Sequence, residues 1–199
     1  MSFRIITISR EFGSGGRSIA KEIASRLGYA YYDQEIVSEI AKKSGLAESF
    51  IQENGEYACS RSSLLFDFNN FGTGYHTSIS DQLYVLQRNL IMELAEKSSC
   101  VIVGRCADYV LRERTDCLNV FLHADMDFRA KRIVELYGET TDSPKKRLQD
   151  KDKRRKTYYK YYTNRNWGQA QNYHLSLDSG KLGIETCIDI ITNLVKKEQ

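Results

Sequence analysis

Ile5-Ile6-Thr7-Ile8-Ser9-Arg10-Glu11-Phe12-Gly13-Ser14-Gly15-Gly16-Arg17-Ser18-Ile19-Ala20 is the stretch whose reading decides the fold. Ile5 to Ile8 reads as a buried strand. Ser18 to Leu27 reads as a helix carrying Ile19, Ile23 and Leu27 on one face, with Gly28 where a C-cap belongs. Between them, Gly13, Gly15 and Gly16 let the backbone approach a polyanion. The amides of such a turn, together with the helix N-terminus, point at that anion.

Strand, glycine-rich turn, base, hydroxyl and helix in this order form the layout of a phosphate-binding P-loop. Gly16-Arg17-Ser18 supplies the end of the common pattern, with Arg17 in place of lysine, and Glu11 stands at the position of its first glycine. Arginine keeps the charge but presents a bulkier planar fork. The competing reading is a β–α turn that binds nothing. It leaves the agreement of glycines, base, hydroxyl and capped helix unexplained.

The rest of the chain fits one α/β domain of 199 residues. Hydrophobic content of 41% and charged content of 28% are ordinary for a globular protein, and a net charge of +3 argues for neither a nucleic-acid nor a membrane partner. The five cysteines, Cys59, Cys100, Cys106, Cys117 and Cys187, are odd in number and form no Cys-x-x-Cys, which predicts reduced structural thiols. With no signal-like N-terminus and no membrane-length apolar run, the expected location is cytoplasmic. His76, His123 and His174 lack metal-ligand spacing and read as structural or surface residues.

Strands and helices alternate along the chain. Tyr29–Tyr32 predicts a second strand, and Asp33 is placed to cap a helix bearing Ile36, Val37 and Ile40 that stops near Gly45. Residues 46–78 are irregular, with a short helix expected around Phe50 and an aromatic run (Phe66, Phe68, Phe71, Tyr75) suited to local core or to stacking a base. Ile79–Lys97 repeats leucine at helical spacing. Cys100–Val103 and Leu118–Leu122 read as buried strands, Asp125–Tyr137 as a helix, Tyr173–Leu177 as a last strand and Ile184–Val195 as a closing helix. The pattern predicts right-handed crossovers and a parallel sheet covered on both faces.

Ligands of such a sheet gather beyond the carboxyl ends of its strands. The glycine loop, Asp33, Gly104-Arg105 and His123-Ala124-Asp125 all fall at strand ends. Phosphoryl transfer needs charge neutralisation and alignment more than a nucleophilic side chain. Gly13, Ser14, Gly15 and Gly16 are therefore expected to hold donor phosphates, Arg17 to offset charge, and Ser18 to reach Mg2+. Arg105 is expected to contact an acceptor phosphate, the alternative being a structural ion pair. Asp33 is either an acceptor contact or simply the cap of the next helix.

From Lys145 to Arg165 ten Lys/Arg face only Asp150 and Asp152. This segment reads as a lid over 139–165, hinged near Pro144, that closes over substrate and excludes water. Arg147, Lys153, Arg154 and Arg155 are its candidate cations, and Asp152 an internal partner or acceptor orienter. The alternatives are a solvated basic helix, or an RNA-contacting face built with Tyr158, Tyr159, Tyr161 and Tyr162. Trp167-Gly168 reads as packing.

Across nearly its whole length the chain resembles the cytidylate kinase-like P-loop proteins, relatives of the nucleoside monophosphate kinases. The resemblance rests on Ser9–Ser18, on Val101-Ile102-Val103-Gly104-Arg105-Cys106-Ala107-Asp108, on Phe121-Leu122-His123-Ala124 with Arg129 and Arg132, and on Asp152-Lys153-Arg154-Arg155. It implies a three-layer α/β/α fold with a five-stranded parallel sheet in order 2-3-1-4-5. It also implies an acceptor-binding insertion at 46–78, a helical lid, ATP as donor and a nucleotide as acceptor. Roles carried over by resemblance are acceptor binding for Arg105, and contact with ATP or the transferring group for Arg129, Arg132, Asp152 and Arg155. The catalytic set is then Arg17, Arg105, Asp152 and Arg155.

Where cytidylate kinases follow the second strand with small residues and an arginine that engage CMP, this chain has Asp33-Gln34-Glu35-Ile36-Val37-Ser38-Glu39, and Cys106 replaces their aspartate. A carboxylate facing a phosphate repels it. Three readings follow: a nucleoside monophosphate kinase with CMP or dCMP as first acceptor, a kinase of another small metabolite, or a non-catalytic nucleotide-binding protein.

Overall fold

The computed structural model describes residues 3–45 and 79–197. The expected insertion at 46–78, with its helix near Phe50 and its aromatic run, lies outside the described residues.

Strand β1 (Ile5–Arg10) leads through the glycine loop into α1 (Gly16–Leu27), β2 (Ala30–Tyr32) and α2 (Gln34–Ser44). After the undescribed segment come α3 (Ile79–Lys97), β3 (Cys100–Val103), the short α4 (Ala107–Val110), β4 (Cys117–His123) and α5 (Met126–Tyr137). The long α6 (Pro144–Thr163), β5 (Leu175–Asp178), the short α7 (Ser179–Leu182) and α8 (Ile184–Lys197) complete the order. The strands form one five-stranded sheet, β2-β3-β1-β4-β5, with every neighbouring pair parallel. The order implied by the family resemblance is the order observed. Element positions read from periodicity hold to within a few residues; β5, for example, begins at Leu175 rather than Tyr173.

Side chains alternate across the strands, so the sheet buries two faces. Ile6, Ile8, Val101, Val103, Leu118, Val120 and Leu122 pack on one face against Ile19 and Ile23 of α1 and Ile188 and Ile191 of α8. Ile5, Cys100, Ile102 and Cys117 pack on the other against Ile36 and Ile40 of α2 and Leu83, Leu90 and Ile91 of α3. On that second face Thr7 and Asn119 would be costly alone, and they satisfy each other through a 2.6 Å bond from the Thr7 hydroxyl. The Asn119 backbone N–H donates to His174 Nδ1, which gives that histidine a structural role. Cys100, Cys106, Cys117 and Cys187 are buried. Among the described residues, no helix is long and apolar enough to cross a membrane.

Two glycine C-caps work as the sequence implies: Gly28 and Gly45 both close helices in the left-handed region, at φ 67° and 70°. Because all strands run the same way, their carboxyl ends share one edge. In register, Tyr32 lies beside Ile102, Ile8 beside Val103, Arg10 beside Leu122, and His123 beside Asp178. That register brings the expected strand-end residues onto a single rim.

Candidate active site

The glycine loop needs its glycines. Gly13 and Gly15 sit at φ 83°, where an L side chain is strained. A Cβ on Gly13 would stand 2.9 Å from the Arg129 carbonyl oxygen. The loop is also tied from inside: the Ser14 hydroxyl donates to the Glu11 carbonyl at 2.9 Å, and the Ser179 hydroxyl donates to the Ser14 carbonyl at 2.6 Å. Glu11, at the position of the missing glycine, turns its carboxylate toward the end of β4. There it accepts the Ala124 N–H at 3.3 Å and lies 3.4 Å from Arg129 Nε.

Helix α6 reaches this loop. Its start is set by Ser143, whose hydroxyl accepts the Lys146 N–H, and by Pro144 in the first turn. One face of the helix is buried, carrying Leu148, Asp152, Arg155, Tyr158, Tyr159 and Thr163, while Lys153, Arg154 and Lys156 stay exposed. Asp152 accepts the Phe12 N–H at 2.8 Å on one oxygen and Arg129 Nη1 at 2.6 Å on the other. Arg129 also donates to the Phe12 carbonyl at 3.2 Å. Arg155 donates to the Arg10 carbonyl at 3.1 Å and lies 3.6 Å from Asp152. A buried carboxylate therefore grips the loop backbone between two buried guanidiniums, a geometry in which each charge is matched.

Of the cations expected on a lid, Arg147 donates to the Gly138 carbonyl at 2.8 Å. Arg132 lines the cleft over the loop with Gly15, Gly16, Arg17 and Ser18, and its Nη2 donates to the Ser18 hydroxyl at 3.2 Å.

On the β2–β3 side two further residues meet. Asp33 occupies the N-cap position of α2, yet its side chain makes no capping bond. It is buried instead and forms a 2.6 Å ion pair with Arg17 Nε, so capping does not account for this residue. Arg105 is only 6% exposed, and among the described residues its Nε and Nη1 have no hydrogen-bond partner. Gly104, Arg105 and Cys106 are all left-handed, with φ of 71°, 60° and 55°. Consecutive left-handed residues other than glycine cost energy and gather at functional turns. A buried guanidinium with unfilled donors is a strong anion-seeking group.

Several contributors escaped the sequence reading. Asp178-Ser179 also stands at a strand end, that of β5, and belongs to the rim. Gln87 carries no motif, Asp108 ends the Gly104-Arg105 motif without a role of its own, and Tyr159 is expected only on an RNA-contacting face; all three contact the Arg105 turn, its helix or α6. No group of three or more His, Cys, Asp or Glu among the described residues could hold a metal ion.

A parallel sheet in this order, a glycine loop entering α1, and arginines converging on one rim define a P-loop phosphotransferase of the nucleoside monophosphate kinase type. The family model described as the cytidylate kinase-like family matches residues 5–181, and the chain belongs to that family. It is 24% identical to the cytidylate kinase of Methanocaldococcus jannaschii over 96% of this chain and 97% of the relative. It is 27% identical to that of Archaeoglobus fulgidus over 96% and 94% of the two chains. Among solved structures, an uncharacterized protein from Eubacterium ventriosum superposes with a TM-score of 0.73 at 27% identity, covering 96% of this chain and 98% of the other. The shikimate kinase of Acinetobacter baumannii shares the fold, with a TM-score of 0.56 at 15% identity over 99% and 95% of the chains.

Proposed function

We propose that this protein transfers a phosphoryl group from ATP to a nucleoside monophosphate, with CMP or dCMP as the first candidate acceptor. The observation that carries the reading is Arg105, a buried cation at the rim that also holds the glycine loop, with two nitrogens that have no hydrogen-bond partner among the described residues. The loop amides from Gly13 to Gly16 cradle the donor phosphates. Arg132 and Arg17 offset the charge that spreads over the transferring group, and Arg105 takes the acceptor phosphate. Asp152 and Arg129 hold the Phe12 backbone and so fix the loop's shape. Arg155 is set against Arg10 beside them, and all three act by preorganisation.

Mg2+ suits this donor set. It keeps much of its water and is held largely by substrate phosphates, so an exposed loop hydroxyl suffices where no carboxylate cage exists. Ser18 would supply that hydroxyl, and the ion would supply neutralisation of donor charge. The segment from 139 to the first turns of α6 forms the lid in this reading. The later turns, with Tyr158 and Tyr159 buried, form its anchor.

One observation favours a second reading. A phosphate acceptor attacks through an oxygen that is already ionised, whereas a hydroxyl acceptor must lose a proton. Asp33, a buried carboxylate paired with Arg17, would suit an acceptor of the second kind as its general base.

ATP consumption with Mg2+, measured against a panel of nucleoside monophosphates and a no-acceptor control, tests the proposal. Stimulation by one monophosphate supports it. Silence across the panel with ATP binding intact by calorimetry moves the weight to another acceptor, such as a hydroxyl, or to a nucleotide-binding protein without turnover.

A further inference from the structure

Two buried side chains outside the loop join the acceptor turn to α6. Asp108 accepts the Tyr159 hydroxyl at 2.6 Å, with both residues 5% exposed or less. Gln87, from α3 and 2% exposed, donates through Nε2 to the Arg105 carbonyl and to the Tyr158 hydroxyl, each at 3.2 Å. The backbone of the left-handed turn and the helix that follows it are thus fastened to adjacent residues of α6 from two directions. Nearer its N-terminus, the same helix carries Asp152 and Arg155, which hold the Phe12 amide and the Arg10 carbonyl.

We propose that Asp108 and Gln87 are positioning residues that lock the Gly104–Arg105–Cys106 turn to α6, so that the acceptor arginine and the loop grip move as one body. The proposal rests on the functional reading above for its consequence, coupling between the donor and acceptor subsites. The mechanical link itself rests on the bonds alone. Three consecutive left-handed residues need an external clamp, because a free turn would relax out of that region. Gln87 and Asp108 are that clamp. Stacked Tyr84 and Tyr162, with ring centroids 4.0 Å apart, close the aromatic cluster around it.

Hydrogen exchange read by mass spectrometry on the full chain tests the link without any substrate. In Tyr159→Phe, which loses one buried hydrogen bond, and in Gln87→Leu, which loses two, amides of 104–111 and of 155–163 are expected to exchange faster together, by about tenfold or more. Amides of α8 are expected to stay unchanged. Asp108→Ala is expected to behave like Tyr159→Phe, whereas Asp108→Asn, whose amide oxygen still accepts the tyrosine hydroxyl, restores slow exchange. Faster exchange confined to α6, or Asp108→Asn as loose as Asp108→Ala, overturns the proposal.

A second arm adds Mg2+ and the non-hydrolysable donor AMP-PNP. In the unmodified protein, exchange is expected to slow in both 10–18 and 104–111. In Tyr159→Phe it is expected to slow in 10–18 only. Equal slowing of 104–111 in both proteins overturns the coupling. No slowing at 10–18 in the unmodified protein overturns the nucleotide reading instead, and the substrate-free arm still decides the link.

Discussion

Arg17 and Arg105 show how two arginines of one rim come to play different parts. Arg17 is half exposed and leans on a buried carboxylate, Asp33, so its charge is already partly answered. Arg105 is buried, and among the described residues its Nε and Nη1 have no hydrogen-bond partner. Arg105→Ala is therefore expected to raise the acceptor KM or lower kcat while leaving ATP binding intact, as calorimetry beside steady-state kinetics would show. Weakened ATP binding alone would contradict the acceptor role. Arg17→Ala is expected to remove about 100-fold or more of kcat, the scale for losing one preorganised charge-stabilising group. Turnover close to that of the unmodified protein would sink the assignment.

At the scale of elements, the junction of α4 and α6 has a pH signature. Burial pushes the Asp108 carboxyl up to about 6, against the opposing pull of the Tyr159 hydroxyl, nearby backbone N–H groups and Arg165. A raised carboxyl favours the folded state when protonated. Its contribution is full below the unfolded value of 3.8 and is lost as pH rises through about 6. The swing amounts to about 3 kcal/mol at most, from 1.36 kcal/mol per pKa unit. Asp108→Asn removes this titration. The Tm of the unmodified protein, relative to that of Asp108→Asn, is accordingly expected to rise as pH falls from about 7 to about 5. A flat difference would refute the buried carboxylate's role. The same junction explains why the basic segment of the sequence is not simply a solvated helix. Lysines and arginines interrupt its apolar periodicity, yet its buried face is made of tyrosines, a leucine and matched charges.

For the whole molecule, the two faces of the sheet set stability, and surface charge adds little. Ile191 of α8 is fully buried against the β1–β4 face. Ile191→Ala is expected to cost about 2–5 kcal/mol, the range for an emptied aliphatic core site. For a chain of this size that corresponds to a fall of roughly 5–15 °C in Tm by calorimetry. Arg26 binds Glu22 within α1 and Glu185 and Asp189 across the α1–α8 seam, but on an exposed surface. Arg26→Ala is expected to lower Tm by far less, and a larger fall than for Ile191→Ala would show that the seam is electrostatic.

Most of the fold was legible in the chain itself. Apolar runs such as Cys100–Val103, capping glycines such as Gly28, and the glycine loop are local signals, encoded in residues that lie next to one another. Parallel order also followed, since alternating strands and helices leave few crossovers, and the family resemblance supplied the order itself. Asp33, Arg105 and His123 were legible because they stand at or just beyond a strand end, whereas Asp178-Ser179, also at a strand end, was not singled out. Tertiary structure alone decided what those residues touch. It paired Arg17 with Asp33 rather than leaving Asp33 to cap a helix, turned Glu11 toward Ala124, and set Asp152 on the Phe12 amide 140 residues away in sequence. It also made Gln87, Asp108 and Tyr159 partners of the Arg105 turn and its helix. The reason is physical: a hydrogen bond or ion pair between distant segments depends on burial and on where the backbone places both ends, and neither is written in the spacing of residues along one segment.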